Sequence, residues 1–150
     1  MKQPTFKSFT EADADIVMGM MHDFYAIDNY AFDKAVSKEL FLEFVANKGL
    51  GQGWVIELDG KHVGYAILTF VFNFEYKGHI AFLDELFIIE SARGEGLGNQ
   101  TLDFVIAQAK ELSLKVLYLE IENHNETARK LYLSKNFINH KRGMMKLVVE

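Results

Sequence analysis

The chain has 150 residues, 49% of them apolar, a formal net charge of −5 and no cysteine. That is enough for one domain with a real core and too little for two, so a single domain over 1–150 is expected. Disulfides, thiolate metal sites and cysteine nucleophiles are excluded, no run is apolar for long enough to span a bilayer, and a nucleic-acid binder would need a basic face that this charge does not supply.

The opening MKQPTFKSFTEADAD lacks the apolar core of a signal peptide, and together with the missing cysteines this points to the cytoplasm. Residues 1–60 carry 10 acidic against 5 basic side chains, whereas residues 61–150 carry 11 of each. An acidic N-terminal part suits a small cationic molecule; the alternative is an ordinary solvated helix surface.

Thr10 followed by Glu11, Asp13 and Asp15 predicts a capped helix with an acidic first turn, and Ile16, Val17, Met20, Met21 and Phe24 then recur on one face. Leu40, Phe41, Phe44 and Val45 repeat the pattern before Gly49, which predicts a second helix over 33–48 capped by that glycine. The connector YAIDNYAFD is rich in aromatics and acids. From Trp54 the period changes, and WVIEL, Asp59-Gly60 and KHVGYAILTFVFNF predict two antiparallel strands joined by a tight hairpin. HIAFLDELFII predicts a further strand, and Leu102, Val105, Ile106, Ala109 and Leu112 mark a helix soon after it. VLYLEI then predicts a strand, NHNETARKLYLSKNF a short helix and MMKLVV a terminal strand, with no internal repeat or linker.

Between strand and helix lies Arg93-Gly94-Glu95-Gly96-Leu97-Gly98, with glycines at alternate positions. Glycines so placed allow positive φ or the close approach of a ligand to bare backbone. A strand, a glycine loop and a helix start together make an anion site, because the first helical N–H groups lack partners and the helix dipole favours negative charge. A nucleotide-hydrolysing P-loop is excluded, since Asn99-Gln100 stand where its lysine and Ser/Thr belong. A dinucleotide site is a weaker alternative. Glu120 and Glu122 sit where a ribose-binding acid belongs, but Asn99 replaces the third glycine and the loop follows ninety or so residues of helices and antiparallel strands.

Arg93-x-x-Gly96-x-Gly98 resembles the Arg/Gln-x-x-Gly-x-Gly/Ala signature of the GNAT N-acetyltransferase superfamily. Asn125-x-x-Ala128-x-x-Leu131-Tyr132, ending in Asn136-Phe137, is similar to that family's second signature, with Asn136 in place of the usual glycine. Asn tolerates left-handed backbone, so the turn is expected to survive. The resemblance implies a single-domain α/β (α+β) fold: a mixed, mostly antiparallel twisted sheet of six to seven strands flanked by about four helices. It also implies transfer of an acetyl group from acetyl-coenzyme A to a primary amine by direct attack in a ternary complex.

By the same resemblance the backbone of Arg93, Gly94, Glu95, Gly96, Leu97, Gly98 and Asn99 would receive the pyrophosphate of the cosubstrate. Leu86, Phe87 and Ile88 would pair with its pantetheine arm, Asn125 would bond that arm, and Lys135, Arg129 or Lys130 would meet the nucleotide phosphates. Helix capping is the alternative for Asn125, and a solvated helix surface for Lys135. Tyr132 matches the family tyrosine that assists the coenzyme A sulfur; packing is its alternative.

FLDELFI places two adjacent carboxylates on an otherwise apolar strand, and strand alternation would send Asp84 and Glu85 to opposite faces. The pattern is similar to the Leu-Glu-Asp-x-Phe-Val segment of diamine and polyamine acetyltransferases. That likeness favours Asp84 over Glu85 as the base and implies a small cationic amine such as a polyamine. His22, Tyr25, Asp28 and Tyr30 would line its pocket, and His79 could belong to a proton path. His22, His62, His79, His124 and His140 show no metal-ligand spacing, so no metal is expected. A homodimer with no nucleic-acid or membrane partner completes the expectation. The competing class is a non-catalytic acyl-coenzyme A binding module, which loss of Tyr132 and both acids would have favoured; all three are present.

Overall fold

Thr10 shows how the first helix is entered. In the computed structural model, which describes residues 3–150, its backbone N–H donates to Asp13 Oδ2 at 2.8 Å and its hydroxyl donates to the same oxygen at 3.1 Å. Lys7 Nζ donates to Asp13 Oδ1 at 3.0 Å. Burial by itself would raise the Asp13 carboxyl, but the Thr10 and Lys7 donors outweigh it and hold the group below the usual carboxylate range. A 3-10 turn, Glu11–Asp13, then leads into α1, Ala14–Ile27.

A carboxyl with a depressed folded-state pKa stabilises the fold at pH above its unfolded value, and that contribution is lost as pH falls through the folded value. Asp13→Ala is therefore expected to cost about 1 kcal/mol at neutral pH, the usual effect of losing a helix cap. The cost should shrink in acid. Urea unfolding at both pH values measures the difference.

Helix α1 ends where Asn29 turns left-handed (φ 58°). The N–H of Tyr30 reaches back to the Tyr25 carbonyl at 2.9 Å and that of Asn29 to Ala26 at 3.3 Å, the Schellman pattern that satisfies the last carbonyls. The second helix, α2, spans Lys34–Ala46, and Asp33 caps it by accepting from the Val36 N–H at 3.1 Å. It stops short of the expected 33–48. Gly49 does not cap it: Asn47 is extended at φ −129°, and its side chain accepts from the Gly49 N–H at 3.1 Å.

The strands β1 (Thr5–Ser8), β2 (Gly51–Leu58), β3 (Lys61–Asn73), β4 (Gly78–Ile88) and β5 (Leu117–Tyr118) form one sheet in that order. The first four run antiparallel, and β5 runs parallel to β4. Asp59 (φ 52°) and Gly60 (φ 75°) make the tight β2–β3 turn that their sequence predicts. Alternation along β2 then separates two layers. Val55 joins Tyr65, Ile67 and Phe87 under α1 and α2 around Val17, Met18 and Phe41. On the other face Ile56, Leu58 and Val63 pack against Leu97, the first residue of α3, Leu97–Glu111. Phe104 of α3 stacks on Phe6 at 4.2 Å between centroids and meets the Trp54 ring edge-on at 5.3 Å.

Five strands, among the described residues, replace the expected six to seven. VLYLEI contributes only Leu117–Tyr118, and MMKLVV forms no ladder. Apolar, β-branched composition sets a preference, but a strand exists only where a neighbour accepts its hydrogen bonds. The unforeseen β1 is the converse case: TFKS is unremarkable sequence, made a strand by the edge of β2.

The chain divides into two compact units, Met1–Glu120 and Ile121–Glu150. Within the second, α4 spans Glu126–Ser134, and Asn125 caps it by accepting from the Ala128 N–H at 3.1 Å. Asn136 takes the left-handed conformation (φ 72°). The Phe137 N–H bonds the Tyr132 carbonyl at 3.1 Å, the Asn136 N–H bonds Leu133 at 3.1 Å, and the Phe137 ring meets that of Tyr132 at 5.6 Å. Asparagine thus serves the turn for which glycine is usual. No helix among the described residues is long and apolar enough to cross a membrane.

Candidate active site

The acidic pair of β4 sits at a break in the strand ladder. Ile67 opposes Glu85 and the next residue, Leu68, opposes Leu83, so Asp84 is an extra residue on β4. Such a bulge cancels the two-residue alternation. Asp84 and Glu85 therefore do not face opposite sides, as the sequence pattern suggested, but line one cavity of about 230 Å³. Met21 and Tyr25 of α1 form one wall of it, Leu40, Phe41 and Phe44 of α2 another, and Ile67 and Thr69 of β3 its floor, with Phe9 closing the side.

Glu85 is held from both sides. Tyr25 donates its hydroxyl to Oε2 and Tyr65 to Oε1, each at 2.7 Å. Burial raises the Glu85 carboxyl above its usual range, the two tyrosine bonds oppose that, and the charge of Asp84 adds to it. Burial and the Glu85 charge also hold both phenols well above the ordinary tyrosine range, so they remain protonated donors. Asp84 differs: it makes no hydrogen bond among the described residues. Partial burial, then the charge of Glu120, push its carboxyl up. One carboxylate is locked and the other is free to exchange a proton.

Of the pocket residues expected from sequence, the structure brings only Tyr25 to this cavity. His22 lies outside it, with Nδ1 3.3 Å from Asp23 and its ring edge on Phe32. Asp28 closes the end of α1, and Tyr30 is exposed. His79 is 5.5 Å from the Phe72 ring. The sequence reading missed Tyr65, buried at the register position opposite Phe87, and the phenylalanines of the walls; composition marks them as core, and only the cavity shows what they surround.

The glycine loop follows β4 through a 3-10 turn, Glu90–Ala92. Gly94 (φ 81°) and Gly96 (φ 80°) are left-handed, and a Cβ added to either would enter open space. Gly96 precedes α3 and offers no side-chain cap, while Gln100 is the first residue whose N–H reaches back, to Gly96 at 3.1 Å. The N–H groups of Leu97, Gly98 and Asn99 are thus the free donors of a helix start, beside room for a phosphate. Leu97 is buried and anchors that turn. Arg93 folds back so that Nε donates to the Ile88 carbonyl at 2.9 Å and its guanidinium lies over Phe87 at 5.6 Å. Glu95 stands between the two left-handed glycines.

Beside the loop, β5 pairs with β4 only at Ala81 and Phe82. From Leu86 to Ile88 no strand among the described residues lies on the side of β4 away from β3, so backbone there can pair with an extended ligand, although the Ile88 carbonyl already accepts from Arg93. In the second unit, Asn125 spends its carbonyl on the helix cap and keeps its NH₂ as a donor. Burial raises the Tyr132 hydroxyl above the usual tyrosine range. Lys135 ends α4, its N–H on the Tyr132 carbonyl at 3.0 Å. Among the described residues no group of three or more His, Asp or Glu side chains is placed to hold a metal ion.

Residues 18–137 match the family model described as acetyltransferase (GNAT) family. An uncharacterised N-acetyltransferase of Archaeoglobus fulgidus is 25% identical over 123 residues, which is 81% of this chain and 84% of that one. Among solved structures, an integron cassette protein from the mobile metagenome of Cole Harbour Salt Marsh is 25% identical with a TM-score of 0.87, covering 97% of this chain and 90% of that one. A chain of Clostridium acetobutylicum described as a predicted acetyltransferase with acetyl-CoA shares the fold at 14% identity and a TM-score of 0.81, over 97% and 96% of the two chains.

Proposed function

The chain belongs to the acetyltransferase (GNAT) family, and from that premise we propose that residues 1–150 form one domain that acetylates a small cationic amine in a ternary complex. It is an acyltransferase, and acetyl-coenzyme A supplies the activated acetyl group. The observation that carries the acceptor reading is the bulge at Asp84, which turns two carboxylates to one cavity.

Asp84 accepts the proton that the attacking amine must lose, directly or through water, and Glu85 supplies a fixed negative charge for the ammonium form. A new C–N bond forms as the C–S bond breaks, and the Tyr132 hydroxyl gives its proton to the departing sulfur. That role of Tyr132 rests on the motif Asn125 to Tyr132. The glycine loop receives the pyrophosphate on the N–H groups of residues 97–99, supported by the open space at Gly94 and Gly96. Residues 86–88 hold the pantetheine arm on the free side of β4, with Asn125 and Lys135 as further contacts. The cytoplasmic reading rests on the absence of cysteine and the homodimer on the family likeness, and light scattering measures the latter.

Mixing acetyl-coenzyme A with a panel of primary amines and detecting free thiol tests the reaction. Gly96→Asn tests the loop in the same preparation. Asparagine accepts the left-handed backbone, so the fold should hold, while its side chain enters the open space and competes for the helix N–H groups. Coenzyme A affinity by calorimetry should fall about 10–100-fold, the equivalent of one hydrogen bond to a charged group. Unchanged affinity would remove the loop from the site.

A further inference from the structure

Two glycines of β2 explain why the cavity has aromatic walls. A Cβ on Gly51 would strike the Phe44 ring at 2.8 Å as well as the Leu68 carbonyl, and a Cβ on Gly53 would collide with the ring of Phe9. Each ring occupies the place of a missing side chain, which seats it against backbone rather than leaving it to swing. Phe9 is then tied to Phe41, with centroids 4.9 Å apart. Phe9 and Phe44 are therefore seated on β2 and, with Phe41, give the cavity one aromatic side.

Its charge lies at one end. Asp84 and Glu85 are sequence neighbours, and the other polar side chains on the lining, Ser37, Thr69 and the Glu85-bound Tyr25, are neutral. A molecule with one ammonium and an apolar body satisfies both ends at once, because its cation meets the carboxylates and its body replaces water against phenylalanine. An α,ω-diamine would set its second ammonium beside Phe9, Phe41 and Phe44, where ring faces but no anion would replace the water it loses, so it gains less there than an apolar body does.

We propose that the acceptor is a primary monoamine with an aromatic or branched apolar body, selected by the Phe9–Phe41–Phe44 side with Asp84 and Glu85 at one end. The inference rests on the reading of this cavity as the acceptor site and narrows it away from polyamines. Selection of this kind is steep, since a single buried methylene changes specificity about 10–200-fold.

The test compares kcat/KM for 2-phenylethylamine, cadaverine and spermidine, in the wild type and in Leu40→Glu. Leu40 lies on the lining and is 57% exposed, so a carboxylate there should leave the fold intact. The wild type is expected to prefer 2-phenylethylamine by about tenfold or more, within the range a buried apolar group supplies. Leu40→Glu, by adding a second anion, should raise cadaverine relative to 2-phenylethylamine. If the wild type turns over cadaverine or spermidine as well as the monoamine, the aromatic side does not select and this inference fails, while the acetyltransferase reading stands. A preference for 2-phenylethylamine that Leu40→Glu leaves unmoved places the amine outside this cavity and also overturns it. Thiol release with none of the three amines overturns the cationic-acceptor reading together with the inference.

Discussion

Asp84→Asn is expected to lower kcat about 10²–10⁴-fold, the range typical of a lost general base. The substitution keeps the shape of the side chain on the bulge and removes its charge and its ability to take a proton. Because burial and Glu120 raise the Asp84 carboxyl above its usual 3.8, and because the base works in its ionised form, the acid limb of kcat/KM should lie above the ordinary carboxylate range. Glu120→Gln should move that limb to lower pH by removing the repulsive charge. The stability sign is opposite to that of Asp13. A raised folded-state pKa means stability present below the unfolded value and lost as pH rises through the folded one, so Asp84→Asn should be no less stable than the wild type at neutral pH. A large loss of rate without loss of stability marks a catalytic group. Glu85→Gln should act differently, mainly through acceptor KM, since both of its oxygens are already committed to Tyr25 and Tyr65. A fall in kcat of less than about threefold for Asp84→Asn, against that expected range, would exclude it as the base.

How far the site could be read in the sequence depended on the range over which each signal acts. The loop at Gly94 and Gly96 was legible because positive φ is a local demand that glycine alone meets freely. The turn at Asn136 was legible for the same reason: left-handed backbone selects asparagine after glycine. The orientation of Asp84 was not. Alternation assumes an unbroken ladder, and the bulge is set by the register between β3 and β4, residues far apart in the chain. Tyr65 was invisible as a partner of Glu85, since nothing local distinguishes a tyrosine that packs from one that donates across a sheet. The same limit explains the strand count. MMKLVV has strand composition, but pairing is a property of two segments, and composition reports on one.

Tyr132→Phe is expected to lower kcat about 10²–10⁴-fold with little change in coenzyme A affinity, the signature of a lost general acid. The ring survives the substitution, and with it the contact to Phe137 at 5.6 Å that closes the end of α4. The backbone bonds that the Tyr132 carbonyl accepts from Lys135 and Phe137 are also untouched. Stability should therefore change little, and any loss of rate belongs to the hydroxyl. Burial keeps that hydroxyl protonated through the working pH range, as a donor must be. The counter-effect is the leaving group itself, because a thiolate departs far more readily than an alkoxide and needs less help. The acceptor series separates the two: if the proton matters, the loss of rate should persist across amines of different basicity, since the sulfur is common to all. A fall of less than about threefold with every amine, well below the general-acid range, would make Tyr132 the packing partner of Phe137 and leave the sulfur to depart unaided.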